Sequence, residues 1–375
     1  MKSIFLFVLL FHSFCVTLAQ EPELVYLYGT RLAGDTQETT VVSGPSGKPT
    51  VSIVELVQSG RPQKAVLLYT AKKKPVELFF FPGLSGKKAL VIGGMHGSEL
   101  SSIELATTLI SQLSEDRRPY YSVIIIPSLF PDNAEAALLD KTDRVKKNTG
   151  RQTSGRTADP NRQMPLPGMP FLQEKSVDAF HRKIENENRA LLQLLQTWQP
   201  HRVLSLHSIR DESKAGVFAD PRTDCRGNAQ GFGTDRELAL LMAEHIRVFG
   251  GDCPGNRLDA NPTALYHLDP PAAAKGKKQV RSFQQADGEP ATRGVTLGTW
   301  CSTAVCAENV SLSRPAIRTF TLEFPGYQRT QEYKTAAERE RAITSMEAYA
   351  SAVRHYFLRS YFVEASAGDE VVAEN

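Results

Sequence analysis

Long hydrophobic runs are almost missing from this chain. The one candidate, Ile4 to Phe11 behind Lys2, continues loosely to Leu18 and is interrupted by His12 and Ser13, whereas a helix needs about 20 apolar residues to cross the hydrocarbon core. That shortfall argues against stable membrane insertion. The charged start, apolar middle and small residues of Thr17-Leu18-Ala19 instead form a signal-peptide pattern cut after Ala19, which predicts a secreted or periplasmic protein. Ser13-Phe14 ahead of Cys15 is not the small-residue pair that lipid-modified cysteines follow. A charge bias is lacking as well. The formal net charge of +3 is too small to imply nucleic-acid binding, and the basic stretch Lys275-Gly276-Lys277-Lys278 reads as a solvated loop.

Cysteine is scarce, and Cys15 leaves with the signal. The remaining Cys225, Cys253, Cys301 and Cys306 lack the two-residue gaps of a zinc ribbon, which favours disulfides or free thiols over metal. In an oxidising compartment, proximity pairs Cys225 with Cys253 and Cys301 with Cys306. No internal repeat is present.

What is there describes an ordinary globular protein: 41% apolar and 23% charged residues, enough to bury a large core. Behind the signal, residues 20–47 are expected to form an N-terminal extension. Residues 48–360 are expected to form the main domain and 361–375 a frayed acidic tail. Leu24 to Tyr28, Val51 to Leu56 and Ala65 to Thr70 read as short strands between Gly, Ser and Pro. Ala89 to Ile92 is a buried strand ending at Gly93-Gly94, and Ser98 to Leu113 follows with helical spacing. Strands are expected at Tyr121 to Ile126, Val203 to Leu206 and Ile317 to Phe324. Helices are expected at Gln173 to Trp198, Thr234 to Phe249 and Thr335 to Leu358. This alternation predicts an α/β fold whose sheet is covered by helices on both faces. Residues 140–170 and 251–300 have little periodicity, and such long loops are candidates for the walls of an active site.

The chemistry gathers at strand ends. His96-Gly97-Ser98-Glu99 stands where a buried strand gives way to a helix, so an imidazole and a carboxylate can converge on one ion from a single turn. The pair alone reads equally well as a helix-start cap. His207 ends the strand Val203 to Leu206, and ligands of open α/β sheets collect at the carboxyl ends of strands. Two histidines and one carboxylate are a known catalytic zinc set, which predicts a single Zn2+ on His96, Glu99 and His207. Glu323 lies near the end of the strand that closes in Phe324-Pro325-Gly326. There burial would raise its pKa, and it would serve as general base. Asn161-Arg162 ends the basic loop, and the Arg162 fork suits a substrate carboxylate.

With these residues in order, the chain resembles the zinc carboxypeptidase family over about Lys48 to Leu358. His96 to Glu99 matches its first-ligand motif, Asn161-Arg162 its substrate pair, His207 in Ser205-Leu206-His207-Ser208 its third ligand and Glu323 its catalytic glutamate. The resemblance implies a single α/β/α domain around a mixed, twisted sheet of about eight strands, and zinc-promoted attack of water on a peptide carbonyl. It also implies an upstream arginine that polarises the carbonyl, for which Arg151 and Arg144 are favoured and Arg156 competes. Gly93 to Glu99 and Thr321 to Pro325 look more like the bacterial branch with murein peptide amidases, which points to a peptide or murein-peptide substrate. An aspartoacylase-like deacylase is the alternative, and a zinc-containing binding protein without turnover the third reading. Digestive members carry a mobile tyrosine about twenty residues before the glutamate. This chain has Thr299-Trp300-Cys301 there, and no tyrosine between Tyr266 and Tyr327.

Overall fold

The structure is a computed structural model that describes residues 53–115, 118–140, 147–153, 159–256 and 294–359. The signal segment, Leu24 to Tyr28, Arg144, Arg156, the 275–278 lysines and the acidic tail lie outside these residues. The main sheet runs in the order β1 (Gln63–Tyr69), β2 (Pro75–Phe81), β4 (Ser122–Ile126), β3 (Lys88–Ile92), β5 (Arg202–Ile209), β9 (Arg318–Pro325) and β6 (Gly216–Ala219). Seven strands are thus described, set against the expected eight or so. β4, β3, β5 and β9 are mutually parallel, while β1, β2 and β6 pair antiparallel at the flanks. A separate ribbon joins β7 (Arg222–Thr223) to β8 (Ala229–Gly231).

Parallel strands are buried on both faces, and alternate residues show which face each serves. Ala89, Val91, Leu204, Leu206, Phe320 and Leu322 pack on one side with α2 (Leu100–Glu115), α5 (Gly233–Val248) and α7 (Ala336–Ala352). Leu90, Ile92, Ile124 and Val203 pack on the other, with α1 (Ile53–Gln58), α4 (Asn186–Trp198) and α6 (Leu297–Ser302). Trp198 closes α4 with 1% exposure and meets Phe80 of β2 edge-on at 6.0 Å, an arrangement worth ~0.5–1.5 kcal/mol beyond area burial. α3 (Pro131–Leu139) follows β4. Among the described residues no helix is long and apolar enough to cross a membrane.

Three expectations change. Val51 to Leu56 does not form a strand in its described part: Ile53–Gln58 is helical and turns Leu56 inward. The helix expected from Gln173 begins only at Asn186. The Asp178 carboxylate accepts from the Phe180 and Arg182 backbone N–H groups, and His181 adopts φ 59°, a local turn that competes with helix. The disulfide joins Cys225 to Cys306 across 81 positions, leaving Cys253 and Cys301 as buried thiols. Tertiary pairing decides this. The segment after α6 returns beside β7 through a single bridge between Thr303 and Thr223, with Ala304 N–H donating to Thr223 O, and so carries Cys306 to the β7–β8 turn.

Candidate active site

β3 ends at Ile92, and a tight loop turns the chain from it into α2. Gly94 takes φ 61°, and a Cβ on Gly97 would stand 2.3 Å from the Ala134 backbone nitrogen of α3. Only glycine tolerates both conditions. The loop is thereby pressed onto α3, and it carries His96 and Glu99 at 3% and 2% exposure. β5 supplies His207 from the adjacent strand end, at 4%.

Glu99 is the hub. Its Oε1 meets His96 Nδ1 at 2.8 Å, and its Oε2 meets His207 Nδ1 at 3.0 Å and accepts from the Ser208 N–H at 3.1 Å. The two imidazole rings lie 5.0 Å apart. One ligand atom from each of these three residues lies within 4.8 Å of the others. Nitrogen and oxygen donors bound at about 2.0–2.2 Å to a tetrahedral ion stand roughly 3.4 Å apart, so this buried donor set fits zinc without rearranging the strands. Burial pushes the Glu99 pKa up, but His96 and His207 outweigh it and hold the carboxyl well below the usual carboxylate range. His96 shows the reciprocal effect: burial lowers its pKa, yet Glu99 and Asp159 raise it to about 9.

Asp159 is a member of the cluster that sequence reasoning did not single out. It accepts from or faces His96 Nε2 at 2.8 Å, takes Arg151 Nη2 at 3.1 Å, and caps the 3-10 turn Pro160–Arg162 through the Asn161 N–H at 2.8 Å. The available signal was an Asp directly before Pro at the first position of a turn, a capping pattern. Burial raises its pKa, while His96, Arg151 and Arg162 carry it well below the ordinary value.

Arg151, the candidate arginine within the described residues, reaches this centre, with Nη1 at 3.0 Å from Glu99 Oε1. Asn161 brings Nδ2 to 3.4 Å from His207 Nε2, and its Oδ1 accepts from the Leu297 N–H at the start of α6. Arg162 folds back, Nη1 donating to Asn161 O at 2.7 Å. Buried Asn188 of α4 holds this loop from behind through Pro160 O and Gln163 Oε1. Ser101 of α2 bonds both Ser208 Oγ and Gly326 O, tying the ends of β5 and β9 to the ligand helix.

Glu323 stands in direct register with His207 across the β5–β9 pair. Parallel register puts paired side chains on the same face, and the charges that act on Glu323 are those of the cluster. Burial raises its pKa first; His207, His96 and Arg151 pull it down, and Glu99 pushes it up, with a net rise. A carboxylate kept basic beside a cluster that could hold a metal is suited to proton abstraction.

Residues 50–213 match the family model described as zinc carboxypeptidase. Among solved structures, a metallopeptidase from Shewanella baltica is 15% identical with a TM-score of 0.43, covering 81% of this chain and 88% of that one. Murein-tripeptide amidase MpaA of Escherichia coli is 17% identical with a TM-score of 0.41, covering 78% of this chain and 91% of its own. Bovine thrombin-activatable fibrinolysis inhibitor is 13% identical with a TM-score of 0.44, covering 81% and 94%. No curated relative matches the chain.

Proposed function

From the match of residues 50–213 to the zinc carboxypeptidase family model, we propose that the chain hydrolyses an amide bond next to a substrate carboxylate. The observation that carries the reading is the convergence of His96, Glu99 and His207 in one buried cluster, with Glu323 in register beside it. His96, Glu99 and His207 would hold one zinc ion, which when bound polarises a carbonyl and acidifies water.

The chain's own residues supply the remainder. Glu323, with its raised pKa, takes a proton from the attacking water and delivers it to the leaving amine. Arg151, already placed against Glu99 and Asp159, offers positive charge where the carbonyl oxygen becomes negative. Asn161 and Arg162 receive the substrate carboxylate, Arg162 by exchanging its backbone contact for a fork-to-carboxylate pair. Asp159 orients His96 through Nε2 and steadies Arg151.

A murein stem peptide is the substrate class we favour, acted on outside the cytoplasm. The Cys225–Cys306 bridge supports an oxidising compartment, and the signal-peptide pattern agrees with it. The test presents purified peptidoglycan peptides, C-terminal dipeptides and N-acyl amino acids to the zinc-loaded protein and identifies products by mass. Cleavage of N-acyl amino acids alone would move the reading to a deacylase. Absence of any chelator-sensitive hydrolysis would refute it.

A further inference from the structure

A cavity among the described residues lies away from the candidate active site, at the opposite ends of the same strands. It has a volume of about 450 Å³, and its walls carry Lys87, Lys88, Arg202, Arg222, Arg314 and Arg318 without an Asp or Glu. Arg202 pairs with Arg318 at the amino ends of β5 and β9, five positions before His207 and Glu323. At about 3.3 Å per residue, the two places are roughly 16 Å apart along the sheet.

The arginines are built in rather than solvated. Arg202 is fully buried; among the described residues its Nη1 donates to backbone carbonyls, the best being Phe357 O at 2.7 Å, and its enclosed Nε and Nη2 have no hydrogen-bond partner. Its guanidinium stacks on the Tyr121 ring at 4.5 Å, which fixes its plane. Arg314, 6% exposed, likewise donates to the Trp300, Cys301 and Thr303 carbonyls, stacks on Trp300 at 4.3 Å and leaves Nε unpartnered. Arg222 and Arg318 share one buried carboxylate, Asp235, at 2.8 and 3.3 Å. Among the described residues, positive charge therefore exceeds negative charge around the cavity. Burial lowers the His201 pKa, and Lys87, Lys88 and Arg202 lower it further.

Buried cations are costly without a counter-charge, and the residues that line the cavity supply no carboxylate. A guanidinium is a fork that suits oxyanions, and a tetrahedral group can accept from several directions at once. The volume exceeds a single phosphate and falls in the range of small-ligand sites. We propose that this cavity is an oxyanion site that takes the phosphate or sulfate group of a small ligand. It stands independently of the hydrolytic reading, because none of its residues belongs to that cluster.

Titration calorimetry of the full chain with sodium phosphate and sodium sulfate, against sodium chloride of equal ionic strength, tests it. One saturable site per chain is expected for either oxyanion, with millimolar or tighter affinity. Lys87→Glu, at an exposed position on the rim, and Arg318→Gln should each weaken binding about tenfold, as for loss of one charge-assisted contact, while zinc content stays unchanged. No saturable heat, or variants that bind as tightly as the parent, would overturn the proposal. So would binding that appears only after residues 360–375 are removed. The chain continues from Arg359, whose carbonyl already meets Arg202, and that result would make the chain's own Glu364, Asp369, Glu370 and Glu374 the occupants.

Discussion

Replacing Asp159 by Asn is the most informative single change at the candidate metal centre. The Asp159 carboxylate serves two donors through different oxygens, His96 Nε2 at 2.8 Å and Arg151 Nη2 at 3.1 Å. An amide has one oxygen. If it accepts from His96, its NH2 faces the Arg151 donor; if it turns, His96 loses its acceptor. Either way one charge-assisted bond disappears, together with the charge that holds the imidazole plane. Partners that orient a metal-ligating histidine typically contribute 10- to 100-fold in metal affinity, or about 1.4–2.7 kcal/mol. Competition with a chromophoric chelator at neutral pH would measure zinc affinity for the parent, Asp159→Asn and Asp159→Ala. Circular dichroism and thermal melting of the metal-free forms would check that the fold is intact. The expected order is parent, then Asn, then Ala. Equal affinities in folded variants would refute the positioning role and would also weaken the assignment of His96 as a ligand.

Further outcomes can be checked directly. Glu323→Gln should keep zinc and lose at least about 100-fold in turnover, the usual contribution of a general base. Because burial raises the Glu323 pKa, the acid limb of the pH–rate profile should fall above the ordinary glutamate value of about 4.3. Asp220 provides a stability test: burial lifts its pKa to about 7, and its Oδ2 is enclosed without a partner. Its folded pKa lies above the unfolded value, so the folded state binds more protons between about pH 4 and 7, and stability falls as pH rises through that window. Asp220→Asn should accordingly stabilise the fold at pH 8, by roughly 4 kcal/mol at most, seen as a higher melting temperature, and change it little at pH 4. Cys225→Ser opens a loop of 81 positions and should cost about 2–4 kcal/mol in denaturant melts under non-reducing conditions.

The centre of the sheet was legible because β3, β4, β5 and β9 are short apolar runs with clear ends. For the same reason the positions of His96, His207 and Glu323 at those ends could be read before their convergence was seen. What escaped depends on contacts distant in sequence or on local competition. Asp178 diverts its segment into a turn through side-chain bonds that apolar periodicity does not register. Asp159 looks like a loop residue until the 3-10 turn presents it to His96. The Cys225–Cys306 bridge follows from the return of the segment after α6 beside β7, whereas proximity along the chain ranks only the entropy of loop closure. β2 alternates buried and half-buried residues in Val76 to Phe80, yet its triple phenylalanine hides that period in a continuous apolar run.

Gly97 bears on how the metal would come and go. Its backbone is pressed against Asn133 and Ala134 so closely that no side chain could be inserted, and α3 is in turn seated behind the ligand loop. The loop is therefore braced by ordinary packing, apart from any bond to an ion. Zinc exchange should then proceed by protonation of the ligands within a standing frame, with no unfolding of the loop, and the empty and filled proteins should show the same protection of the Gly97 and Ser98 amides from hydrogen exchange.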